Sequence, residues 1–360
     1  MKKILIYTQE GHANKKAWVN HLIHPIRAYW GDGTSEWPNY KKSYVFFKKY
    51  FELTDNLEDC ELAFLPFTLN YYLKNNRSHL LKDFVKVVSD NKKKTFIWVD
   101  GDHQPRFNDP DCIFLKYFGY KSYLCNNEFI LPGDVKQDLL NTHLKGNLIL
   151  KEKEKKPKIG FDGIADYNPI KLIAIISKNF LYNINYKIFQ YPFEGDPVIP
   201  YLLKRKNILN MLKSSNKIEN NFSIRDSFAI GTIGKQAKAR NEFINNIISS
   251  DYTLCYRGAS NYSLRFYETL CLGRIPLFIN TDCKLPFEDQ INWKEVCLWI
   301  EESELSQISN KILDYHNSIT KNDFIERQVY CRELWVKYCS KEGFYKKFFQ
   351  FLKSNIIKLN

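Results

Sequence analysis

Short apolar runs alternate with longer amphipathic stretches along most of the chain. Residues 3–7 form an apolar run that predicts a buried strand. A helix is expected at 15–29, a loop at 31–40 around Gly31, Gly33 and Pro38, and a helix at 41–52. Cys60 to Pro66 predicts a second buried strand, 76–90 a helix, and 94–99 a third strand that ends at Asp100-Gly101-Asp102-His103. Strands that alternate with helices build βαβ units and a parallel sheet.

A charged run, Lys151-Glu152-Lys153-Glu154-Lys155-Lys156-Pro157-Lys158, has nothing to bury and is the expected linker. A second alternation follows it. Strands are expected at 158–162, 184–190, 226–231, 251–256 and 275–279, and helices at 168–180, 200–213, 236–249 and 261–272. Helices at 303–314, 321–339 and 343–354 close the chain, with Phe324, Gln328, Cys331 and Trp335 marking a buried side. The economical architecture is α/β, with two Rossmann-like halves and a cleft between them. The expected divisions are 1–152, 153–325 and a C-terminal stretch, 326–360, that crosses back to the first domain.

Composition narrows the partners. The chain has 360 residues, enough for two domains, and 44% hydrophobic residues, enough for full cores. Its 53 Lys and Arg against 40 Asp and Glu leave +13, which invites nucleic acid, an anionic membrane or phosphorylated small molecules. The nine cysteines form no CxxC pair and have mostly apolar neighbours, so free buried thiols are expected, and no zinc site. Only four apolar residues, Ile4-Leu5-Ile6-Tyr7, follow Lys2-Lys3, too few for a signal peptide or a membrane span. The expected location is the cytoplasm, with peripheral contact at the inner face of a membrane.

The densest chemistry lies between Asp251 and Asp289. A polar loop, Arg257-Gly258-Ala259-Ser260-Asn261, separates a strand from a helix that Gly273 stops. Ser260 or Asn261 is expected to supply the N-cap oxygen, and Leu264, Tyr267 and Cys271 the core-facing stripe. A helix N-terminus after such a loop suits an anion, and a guanidinium beside it suits a pyrophosphate. Arg265 and Glu268 share one face, three residues apart. They could serve a phosphate and a ribose, or form a simple surface ion pair. Upstream, Gly231-Thr232-Ile233-Gly234-Lys235 lacks the spacing of a Walker loop, but Lys235, Lys238 and Arg240 form a basic cluster that could reach a phosphate or merely face solvent.

Arg265-Phe266-Tyr267-Glu268-Thr269-Leu270, Gly273-Arg274-Ile275-Pro276-Leu277-Phe278, Leu285-Pro286-Phe287-Glu288-Asp289 and Ile291-Asn292-Trp293 resemble the C-terminal block of exostosin-like glycosyltransferases, glycosyltransferase family 47. The stretch from Leu53 to Phe67 is similar to that family's T-D-D-P-x-x-A-D-L-F-F-V-P segment. The resemblance implies a GT-B fold and inverting, metal-independent transfer from a nucleotide-sugar donor, usually UDP-linked, to a glycan or lipid-linked glycan in polysaccharide biosynthesis. It implies no bound cofactor. By analogy Arg265 contacts the donor diphosphate, Glu268 the ribose, and Ser260, Asn261 and Ser263 line the phosphate loop. Tyr256-Arg257-Gly258 departs from the family pattern, and Arg257 would add a second positive contact beside Gly258.

An inverting enzyme also needs a base for the acceptor hydroxyl. Asp102 is the first candidate, with Asp100 and His103 beside it at a strand's carboxyl end, although two acids in a loop can also simply cap a turn. His12 occupies a similar strand-end position and is the acceptor-side candidate. Two other readings remain open: a fucosyltransferase-like GT-B enzyme using a GDP-sugar, and a basic nucleic-acid-binding protein. Against the latter, the lysines are scattered and no nucleic-acid motif appears.

Overall fold

The computed structural model describes residues 2–9, 38–103, 105–165, 169–189, 191–194, 197–225 and 233–357. They fall into two compact units. The first comprises 1–136, 192–194 and 337–360, and the second 137–191 and 195–336. His12 and the expected helix at 15–29 lie outside the described residues, as does the side chain of Lys235.

The first unit holds six strands: β1 (Ile4–Tyr7), β2 (Phe51–Thr54), β3 (Leu62–Phe64), β4 (Thr95–Trp98), β5 (Cys112–Lys116) and β6 (Glu128–Ile130). Their order is β2-β1-β3-β4-β5-β6, and every pairing is parallel. The helix Ser78–Asp90 buries Leu81, Phe84, Val85 and Val88, the i, i+3, i+4, i+7 stripe of a core-facing helix. Phe84 stacks on Tyr7 at 5.8 Å. Register puts Phe51, Phe96 and Phe129 on the opposite face from Tyr7. Phe348 of the last helix, Lys341–Asn355, meets all three there at 6.1, 6.0 and 5.7 Å. Helices therefore cover both faces, as a sheet buried on both sides requires.

The second unit holds β7 (Lys158–Ile164), β8 (Glu219–Arg225), β9 (Tyr252–Cys255), β10 (Ile275–Asn280) and β11 (Leu298–Glu301). These too are all parallel, ordered β11-β10-β9-β7-β8. Each sheet starts at a strand inside it, adds the next strand on one side, then reverses to the other. That is the doubly wound Rossmann-like pattern, with a topological switch point between β1 and β3 in one unit and between β7 and β9 in the other. Both halves of the expected α/β fold are thus present.

Several elements differ from the pattern reading. Residues 184–188 do not form a strand but finish the helix Pro169–Ile188. Residues 51–52 belong to β2 rather than to the helix before it. The strand expected near 226–231 falls wholly outside the described residues, and β8 precedes it. The charged run 151–158 is not loose: Lys151 Nζ lies 3.0 Å from Asp251, and the Lys158 N–H donates to the same carboxylate at 2.8 Å. Gln328 fastens it further, accepting from the Lys151 N–H at 2.9 Å and donating to the Lys151 carbonyl at 2.8 Å. All nine cysteines are free, and only Cys125 is exposed.

Candidate active site

Open parallel sheets bind ligands beyond the carboxyl ends of their strands, at the switch point. In the second unit those ends are Asp162-Gly163-Ile164, which finish β7, and Tyr256-Arg257-Gly258 after β9. Arg265, in the first turn of the helix Leu264–Cys271, reaches this place. Its Nη2 donates to the Asp162 carbonyl at 2.8 Å, and its guanidinium lies over the Phe161 ring at 4.5 Å. Its Nε is buried and has no hydrogen-bond partner among the described residues. Burial pulls its pKa below the ordinary value, while Glu268 and Asp162 oppose the shift. Gly163 makes this approach feasible, since a Cβ there would stand 2.7 Å from Arg265 Nη2.

Glu268 does not pair with Arg265. Arg240 Nη1, from the helix Ile233–Ile248, holds it at 2.7 Å, and Glu268 is buried. The buried carboxylate of Asp162 pairs in turn with Arg225 at 2.7 Å, at the end of β8. Three arginines, 225, 240 and 265, thus serve one strand-end cluster, balanced by Asp162, Glu268 and Glu242, which lies 3.5 Å from Arg225. The structure therefore unites three of the residues expected at the donor site, Arg240, Arg265 and Glu268. It replaces the simple surface pair between Arg265 and Glu268 with this network. Lys238, with its side chain 81% exposed, touches this cluster only at its rim, 4.0 Å from Glu242.

The preceding loop differs from expectation. The N-cap is Ser263, not Ser260 or Asn261, and its side chain makes no capping bond. Asn261 is instead a brace: its amide donates to the Thr281 carbonyl at 3.0 Å and accepts from the Thr281 hydroxyl at 2.6 Å. Ser260 is buried. Arg257 is buried as well, 3.6 Å above the Tyr201 ring, and donates to the Ala259 carbonyl at 2.9 Å. Gly258 leaves open space where a Cβ would stand. Leu264, assigned to the core stripe, is 37% exposed, while Tyr267 and Cys271 are buried.

One contributor went unread in the sequence. Arg205, on the helix Tyr201–Lys213, donates to the Ile164 carbonyl at 2.9 Å and to the Arg257 carbonyl at 2.6 Å. It ties together the strand ends on either side of the switch point. Within Lys204-Arg205-Lys206 nothing distinguishes it from a solvated basic run.

In the first unit Asp100 and Asp102 separate. Asp100, just past β4, is half-buried, and its N–H donates to Asn70 Oδ1 at 3.1 Å. Burial raises its pKa, while Lys74 and the Thr68 hydroxyl pull the other way. Gly101 turns the chain at φ +76°, leaving Asp102 exposed and His103 half-buried. A carboxyl beyond a strand end with its pKa raised by burial can accept a proton.

Residues 205–315, which span the Arg205 tie, the arginine network and the loop, match the model of the exostosin GT47 domain. Over those residues the chain is similar to that domain. It is 32% identical to exostosin-1 of Drosophila melanogaster over 90 residues, 25% of this chain and 11% of that protein. It is 30% identical over 103 residues to a probable glucuronoxylan glucuronosyltransferase of Arabidopsis thaliana, covering 28% of this chain and 22% of that one. The chain therefore spans only a small part of these relatives' lengths. The solved structure of TarM aligns over 81% of this chain and 55% of that one, at 13% identity and TM-score 0.35. Within the matched residues, Arg274 and Trp293 hold the frame. Arg274 is buried, with its pKa lowered by burial to about 10, and donates to the Ile248 carbonyl at 2.9 Å. Trp293 Nε1 donates to the Pro286 carbonyl at 2.8 Å.

Proposed function

We propose that the protein is a glycosyltransferase that moves a sugar from a nucleotide-sugar donor, UDP-linked, to a glycan or lipid-linked glycan acceptor. The observation that carries this reading is the coincidence of the exostosin GT47 match with the arginine network at the β7–β9 switch point. Arg265 would hold the donor diphosphate, assisted by Arg240 and the uncapped start of the helix Leu264–Cys271. Buried cations of this kind stabilise a leaving diphosphate without reorganising at the moment of reaction. Glu268, held in place by Arg240, would accept from the ribose hydroxyls. In an inverting, metal-independent displacement the acceptor oxygen bonds to the anomeric carbon, the bond to the diphosphate breaks, and the acceptor proton passes to a base. Asp100 is the preferred base because of its raised pKa, with Asp102 and His103 as neighbours.

Several relatives bear glucuronosyltransferase names, so UDP-glucuronic acid is the first donor to test. A hydrolysis and transfer screen of UDP- and GDP-sugars with mass detection decides the matter. Release of UDP by the wild type, abolished in Arg265→Ala with the fold retained, is the expected result. Turnover of GDP-sugars alone, or wild-type turnover in Arg265→Ala, overturns it.

A further inference from the structure

The helix Pro169–Ile188, apolar nearly all round, presents one of its apolar sides outward. Ile170, Ile173, Phe180, Leu181 and Ile188 are 78%, 66%, 54%, 60% and 67% exposed. At about 100° per residue they fall on one stripe, with Ala174, Ser177 and Ile184 filling its gaps. Asn179 lies on the opposite side and is the helix's only buried residue, its Nδ2 donating to the Pro197 carbonyl at 3.0 Å. An aliphatic stripe of this length facing water is unusual for a surface helix. Phe189, just past the helix end, is 73% exposed as well.

We propose that this helix docks the protein on an anionic lipid surface, lying in the plane of the interface. Charge selects this occupant. The helix has three lysines, 171, 178 and 187, all exposed, and no acidic residue. On the helical wheel Lys171 and Lys178 border the stripe on one side and Lys187 on the other. From there their ammonium groups reach headgroup phosphates while the stripe enters the acyl boundary. A second copy of the chain would bring these lysines against their own kind. Among the described residues no helix is long and apolar enough to cross a membrane, which fits an element that lies on one. The net charge of +13 adds long-range attraction to the same surface.

Co-sedimentation of the full chain with vesicles tests the proposal. The wild type should bind vesicles rich in phosphatidylglycerol, and bind phosphatidylcholine vesicles far more weakly. Lys171→Glu, Lys178→Glu and Lys187→Glu together should weaken binding to the anionic vesicles by roughly a hundredfold or more. Phe180→Ser with Leu181→Ser should remove it. These positions are exposed, so circular dichroism should match wild type for both variants. Their UDP-induced rise in melting temperature should also be unchanged, so docking is tested separately from donor binding. The proposal fails if the wild type ignores anionic vesicles or if the stripe variant sediments like the wild type. It also fails if light scattering shows a dimer that Phe180→Ser with Leu181→Ser dissolves, because the stripe would then serve a second copy.

Discussion

At the residue scale, the donor reading rests on how one guanidinium is seated. Arg265 lies on Phe161, bonded to a backbone carbonyl, in a space that exists because residue 163 has no side chain. Gly163→Ala should push the guanidinium off this seat without touching the diphosphate's other contacts. Loss of one charge-assisted hydrogen bond weakens binding roughly tenfold to a hundredfold. Titration calorimetry with UDP should show that loss while circular dichroism stays unchanged, and wild-type affinity would reject the seat. Arg265→Lys should behave almost as badly, because an ammonium cannot reproduce the planar fork. The base is testable in the same way. A carboxyl must be ionised to accept a proton, so activity should fall as pH drops through the Asp100 pKa, which lies above the ordinary aspartate value. Asp100→Asn should lower kcat by roughly a hundredfold or more. Asp102→Asn, at an exposed position, should leave the acid limb of the profile in place. If Asp102→Asn removes that limb instead, the roles are reversed.

At the element scale, the sequence was readable where burial and period agreed. β1, β4, β9 and β10 are short apolar runs with buried side chains, and the helix Ser78–Asp90 has a clean apolar stripe. β8 was missed because Glu219-Asn220-Asn221-Phe222-Ser223-Ile224-Arg225 forms a sheet edge, where polar residues cost little. Residues 184–188 read as a strand because Ile184, Tyr186 and Ile188 alternate with polar residues. The helix that contains them is apolar nearly all round, so period gave no warning. The motif helix and its Arg-x-x-Glu spacing were legible, but the partner of Glu268 was not, because Arg240 arrives from a different helix. Arg205 was hidden for the same reason. Arg205→Ala should loosen the strand ends after β7 and β9, raising the donor KM with a smaller change in kcat, and Arg205→Lys should restore part of it. An unchanged KM would make the tie merely structural. A pH effect belongs to the helix Ile308–Ser318. His316 is fully buried, bonded through Nδ1 to the Tyr252 hydroxyl at 2.9 Å and through Nε2 to the Glu154 carbonyl at 2.8 Å. Burial lowers its pKa from the ordinary 6.5. The unfolded chain then takes up a proton before the folded one, so stability is full above pH 6.5 and declines as pH falls toward the folded pKa. Melting curves of the second unit should show that decline, and His316→Gln should flatten it.

At the scale of the whole molecule, the chain does not assign its halves in simple sequence. The first unit takes its last helix from the C-terminus and a short piece, 192–194, from the middle. That piece is attached by an antiparallel bridge between Pro105 and Phe193 and by the Arg106 N–H donating to the Pro192 carbonyl at 2.8 Å. The exostosin GT47 match, 205–315, lies wholly within the second unit. Donor binding and the stability of the first unit should therefore be separable by a single substitution in the last helix. Phe348 is 4% exposed and packs on Phe51, Phe96 and Phe129. Phe348→Ala removes this contact and leaves a cavity, a change that costs about 3–5 kcal/mol in a buried core. Calorimetry of the full chain with and without UDP should then resolve two transitions in the variant. The lower one should be insensitive to nucleotide, and the upper one should rise with UDP as in the wild type. If UDP raises the lower transition instead, the nucleotide binds the first unit and the donor site proposed at the β7–β9 switch point is misplaced.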